Sequence, residues 1–101
     1  MKRIILSLGI ILSLIFQSCS SNIDKGRDVY KTYLKSTLKD PNSLEIYKES
    51  YTVEDDGYTV KFTVDYGAKN SLGGMERKKE NFTTFGGQIY LNGKFYNKED
   101  F

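Results

Sequence analysis

The chain has 101 residues, 15 basic and 13 acidic side chains, one cysteine and no histidine, which is room for one domain. Without histidine there is no Ser-His or Cys-His nucleophile pair, no imidazole acid-base catalyst and no His-based zinc site. Neither a phosphate loop nor a dinucleotide fingerprint occurs, and a lone thiol closes no intrachain disulfide.

Met1-Lys2-Arg3 is a basic start, Ile4 to Phe16 an apolar run broken only by Ser7, Gly9 and Ser13, and Gln17-Ser18 a polar-to-small exit. That is the layout of a secretory signal, and the run is shorter than the roughly 20 apolar residues of a spanning helix. Phe16-Gln17-Ser18-Cys19 resembles a bacterial lipoprotein signal. The resemblance implies cleavage before Cys19, acylation of its thiol (palmitate among the chains) and a mature protein held by lipid in the cell envelope, on the periplasmic face of a membrane. Residues 1–18 are then signal, 19–23 a short tether and 24–101 a single domain. Cleavage removes Lys2 and Arg3, so the 15 basic residues lose two and equal the 13 acidic ones. The net charge of +2 thus belongs to the signal, and the case for nucleic acid as a partner goes with it. A tether of a few residues, at about 3.3–3.6 Å each, keeps the domain within about 15 Å of the bilayer.

From Asp24 to Lys39, Val29, Tyr30, Tyr33, Leu34 and Leu38 recur at helical spacing, with charged residues on the other faces. Asn22 or Asp24 is placed to cap the helix, and Asp40-Pro41 to end it, because proline disfavours helical geometry in the residue before it. Leu44 to Val53 reads as a strand whose alternation slips in the middle, as at a bulge. Glu54-Asp55-Asp56-Gly57 reads as a turn rather than a calcium loop, since the spaced oxygen ligands and closing Glu are missing. Tyr58, Val60, Phe62, Val64 and Tyr66 then alternate with polar residues as a half-buried strand.

Gly67 to Gly74 carries three glycines in eight residues and reads as a loop. Met75 to Phe85 is extended, with Glu76-Arg77-Lys78-Lys79-Glu80 suited to an edge or protruding hairpin. Gly86-Gly87 and Asn92-Gly93 mark tight turns around the short strands Gln88 to Leu91 and Lys94 to Tyr96. The whole is an α+β domain: one N-terminal amphipathic helix packed on a three- to five-stranded antiparallel sheet.

Carboxylates are the only acid-base groups left for an enzyme, with Asp65, Glu76 and Glu80 beside the glycine loop as a glycosidase-like set; solvated charges on strand faces are the plainer reading. No catalytic residue, metal ligand or cofactor is expected. Lys69, Asn70 and Ser71 put a cation, an amide and a hydroxyl on a glycine-rich frame, suited to a carboxylate or sugar ligand. The plainer reading is a turn whose Asn and Ser satisfy its own backbone. That loop, taken with Leu38-Lys39-Asp40-Pro41-Asn42-Ser43, resembles a group of small secreted or lipid-anchored bacterial domains with a Lys-Asp-Pro-x-Ser helix exit and a later Ala-Lys-Asn-Ser-x-Gly-Gly loop. The resemblance spans roughly Val29 to Leu91 and implies a helix followed by an antiparallel sheet, with no activity attached. The sequence therefore points to a non-enzymatic, lipid-anchored envelope protein binding a protein or glycan near the membrane. A small inhibitor or immunity lipoprotein acting on a toxin or hydrolase is the alternative.

Overall fold

The computed structural model describes residues 21–101; the expected signal segment and Cys19 lie outside them. Alternation along the Val- and Tyr-rich segment sets the architecture. It puts Val60, Phe62, Val64, Tyr66 and Ala68 on one face, all buried, and Lys61, Thr63 and Asp65 on the other. That apolar face is covered by a single helix, α1 (21–37), as an α+β domain requires.

The sheet is a meander of five antiparallel strands in chain order: β1 (Glu45–Val53), β2 (Thr59–Lys69), β3 (Met75–Phe85), β4 (Gln88–Leu91) and β5 (Lys94–Asn97). The slipped phase of β1 is a register shift between Ile46 and Lys48 against β2, as its alternation predicts. Glycine-bearing turns sit where expected, with positive φ at Gly57, Gly86 and the Asn92-Gly93 pair. The β2–β3 hairpin is the longest feature, paired from Thr59↔Phe85 out to Lys69↔Met75. Strand β4 pairs with β3 only at Thr83 to Phe85, so the outer half of β3 is the charged edge that Glu76 to Glu80 suggested.

Three boundaries differ from the sequence expectation. Residues 21–23 are already helical, so the stretch assigned to a 19–23 tether is partly helix and the domain reaches back beyond residue 24. The cause is docking: Ile23 packs on the core, and the Asn22 side chain donates a 2.8 Å hydrogen bond to the Gly57 carbonyl instead of capping α1. Asp24 does not cap either; it pairs with Arg27 at 3.0 Å one turn on. At the other end α1 stops at 37, where the Ser36 and Thr37 hydroxyls donate to the Tyr33 and Leu34 carbonyls of the last turn. Finally, Gly67, Ala68 and Lys69 belong to β2 rather than to a loop. Gly67 is there for space, because a Cβ would lie 2.8 Å from the Tyr47 ring. Tyr58, grouped with the buried face by alternation, lies before β2 and is exposed.

Helix and sheet meet through Val29, Tyr30 and Leu34, all essentially inaccessible. The Tyr30 ring stacks on Phe82 at 5.4 Å and tilts against Phe62 at 5.0 Å. Its hydroxyl donates to Glu49 Oε1 at 2.5 Å, and Arg27 donates to the same carboxylate through Nε and Nη2 at 2.9 Å each. Burial pushes the Glu49 carboxyl up, but the bonds from Arg27 and Tyr30 outweigh it and hold the group below its ordinary value. Burial, reinforced by the bond to Glu49, raises the Tyr30 phenol far above its usual range. This network ties α1 to edge strand β1. The C-terminal turn Lys98–Asp100 closes over the helix from the other side, with Lys98 Nζ 3.0 Å from Asp28 Oδ2 and the Phe101 ring 5.3 Å from Tyr33.

Candidate groove at the hairpin end

The long hairpin outruns the helix that covers it, and a concave surface opens where the two part. The last turn of α1 forms one wall, with Tyr33, Thr37 and Leu38, and the outer half of the β2–β3 hairpin forms the other. The groove has a volume of about 510 Å³. Its floor is apolar, from Leu34 and Ala68, and its rim carries Lys39, Lys69 and Lys78 against Glu76 and Glu80.

Strand alternation decides which polar groups reach it. Tyr66 faces the helix side, and its hydroxyl donates to Glu80 Oε1 at 2.7 Å. Burial first, then that bond, raises the Tyr66 phenol well above its usual range, so the hydroxyl stays a donor at any physiological pH. Glu76 and Lys78 lie opposite Ala68 and Tyr66 on the same face.

The helix exit and the hairpin loop are joined here. Pro41–Ser43 forms a single 3-10 turn; the Ser43 hydroxyl donates to the Asp40 carbonyl at 2.7 Å and accepts the Lys69 N–H at 2.8 Å. The helix exit and the hairpin loop are thus one physical unit. Of the residues expected to bind a ligand, all three line the groove, but in different roles. Asn70 is architectural: its Oδ1 accepts the N–H groups of Leu72 and Gly74 at 3.0 Å each, while its backbone closes the loop on Gly74 at 2.8 Å. Lys69 and Ser71 are exposed at the rim.

The carboxylate set is not assembled. Asp65 lies on the opposite face of the sheet, held by two 2.9 Å bonds from Arg77 that depress its pKa, and the Arg77 guanidinium sits 4.5 Å over the Tyr47 ring. Glu76 and Glu80 share the groove face but stand four residues apart on one strand, about 13 Å along it. Among the described residues no group of three or more metal-ligating side chains occurs.

Sequence reasoning found the loop but missed the other wall. Tyr33, Lys39, Tyr66 and Lys78 read as helix and strand residues, and only the pairing of β2 with β3 brings them to one surface. The available signal was the unequal reach of a short helix and two 11-residue strands. Comparison with protein-family models, curated proteins and solved structures gives no match.

Proposed function

We propose that this chain is a lipid-anchored protein of the bacterial cell envelope, a non-enzymatic module that binds a protein or glycan component in the groove at its hairpin end. The observation that carries the reading is the groove itself. It joins an apolar floor to a phenol donor and to cations and carboxylates at the rim, which is the lining that suits a ligand rich in hydroxyls and charged groups rather than an apolar one. The anchor is supported by the Phe16-Gln17-Ser18-Cys19 stretch; among the described residues no helix is long and apolar enough to cross a membrane. The groove lies at the far end of α1 from the anchor, about 22 Å along the helix at 1.5 Å per residue. It would therefore be presented away from the bilayer.

A photo-crosslinking residue in place of Ser71, compared with one in place of Lys48 on the other sheet face, tests the groove in living cells. A discrete adduct at 71, none at 48, and loss of the adduct on Lys69→Glu is the expected result. Equal adducts at both positions would overturn the site, and an adduct with a secreted hydrolase would recast the module as an inhibitor. For the anchor, Cys19→Ala should abolish lipid labelling and release the protein from the membrane fraction; unchanged retention would refute it.

A further inference from the structure

Four exposed aromatic rings cluster at one end of the sheet: Phe85, Tyr90 and Phe95 on the face that α1 does not cover, and Tyr58, just before β2, against Phe85. Tyr58, Phe85, Tyr90 and Phe95 are 54%, 43%, 46% and 53% exposed, yet they touch one another. Phe85 lies 5.7 Å from Tyr58 and 6.4 Å from Phe95, and Phe95 lies 5.3 Å from Tyr90. Rings that pack together without being buried form a contiguous apolar patch, and such patches on small domains mark contact surfaces. Two of the four are phenylalanines, which gain nothing from water.

The patch sits where the chain comes in from the anchor. Asn22, in the first described turn of α1, is bonded to the Gly57 carbonyl, and Tyr58 follows directly. The Tyr58 carbonyl in turn accepts the Gly86 N–H at 3.2 Å, beside Phe85. Cys19 is only three positions before Asn22, a reach of about 10 Å even if fully extended. Whatever holds Cys19 therefore lies next to this end of the sheet. The nearby charges are of both signs: Lys61 is paired with Glu54 at 3.0 Å, and Asp56 is occupied by the Tyr58 and Thr59 N–H groups. The surface is suited to ring insertion rather than to attraction by charged headgroups.

We infer that the Tyr58, Phe85, Tyr90 and Phe95 patch is a second membrane contact, seated in the interfacial layer of the bilayer to which Cys19 is anchored. Tyrosine is enriched at that depth because its ring is apolar and its hydroxyl wet. The anchor supplies proximity and the patch sets orientation, leaving the groove at the opposite end turned outward. This rests on the lipid-anchor reading and adds to it.

The test uses the full lipidated chain in phosphatidylcholine vesicles with or without brominated acyl chains. Cys19 being acylated, a thiol-reactive bimane labels a single introduced site: Phe95→Cys in the patch, or Leu72→Cys at the hairpin tip. Bimane at 95 is expected to lose most of its emission in brominated vesicles, in low and high salt alike, while bimane at 72 is unchanged. Tyr90→Cys serves the same purpose should Phe95→Cys lose its native circular dichroism. If the protein floats with the vesicles but position 95 is no more quenched than 72, the patch is refuted and the anchor stands. Quenching at both sites, or quenching at 95 that high salt removes, also overturns the proposal. Should Cys19→Ala float as well as the parent and carry no less lipid, the anchor falls and the proposal falls with it.

Discussion

Gly26 offers the sharpest test of how the helix is seated. In an ordinary helix interior Gly→Ala stabilises by about 0.8–1.0 kcal/mol, since alanine surrenders less backbone entropy on folding. At Gly26 the added Cβ would overlap Thr84 Oγ1 and lie 2.8 Å from Phe62 Cε2. Neither neighbour can yield: Thr84 and Phe62 are 0% and 1% exposed, and the Phe62 ring is held against Tyr30. The helix must lift from the sheet along its whole contact, an overpacking cost of about 1–3 kcal/mol with the upper range expected where two buried neighbours are met at once. Net of the helical gain, Gly26→Ala should destabilise by about 1–2 kcal/mol, a fall in Tm of roughly 5–15 °C for a domain of this size. Urea unfolding followed by circular dichroism measures it, with Ser36→Ala on the exposed face as a control expected to be neutral or slightly stabilising. Adding Thr84→Ala should recover part of the loss through positive coupling. A Gly26→Ala protein more stable than the parent would show that α1 does not pack at this distance.

Three other outcomes follow from the same geometry. Glu49→Ala strands the buried Tyr30 hydroxyl and frees Arg27, at a cost of about 2 kcal/mol at neutral pH. Because the Glu49 carboxyl is held below its ordinary value of 4.5, its contribution is complete above that pH and is lost as pH falls through the lower folded value. Glu49→Gln should therefore flatten the acid limb of a stability-against-pH curve; an unchanged limb would remove Glu49 from it. Ser43→Ala, by deleting the acceptor of the Lys69 N–H, should cost about 1 kcal/mol and speed hydrogen exchange at Lys69 while leaving Val64 protected. For Asn70, Ala should loosen the hairpin loop whereas Asp, which keeps the accepting oxygen, should not; equal effects in exchange experiments would mean the side chain is not what shapes the turn.

Most of the sheet could be read from the sequence because its signals are local. Strict alternation from Val60 to Tyr66, Asp-Gly and Asn-Gly pairs, and a phase slip in β1 each declare themselves within a few residues. Misread positions depend on partners distant in the chain. Gly67 resembles a loop residue until the Tyr47 ring is laid over it, and Asn22 resembles a cap until Gly57 takes its amide. Glu49, a polar residue on the helix-facing side of β1, was legible only as a strand charge, since Arg27 and Tyr30 reach it from 22 and 19 residues away. The groove was half legible for the same reason: its loop is a motif, its opposite wall a matter of tertiary reach.

The strand order of the sheet bears also on how quickly the domain forms. Every strand neighbours the next along the chain, so the sheet can zip hairpin by hairpin with short loop closures and a modest contact order. The helix is made first and satisfied last, for Val29, Tyr30 and Leu34 find cover only when β2 and β3 have paired. Closure by Lys98 on Asp28 spans 70 residues and comes with the final turn. While the strands are still unpaired the helix waits without cover, and its capture by the completed hairpin is the step expected to set the folding rate.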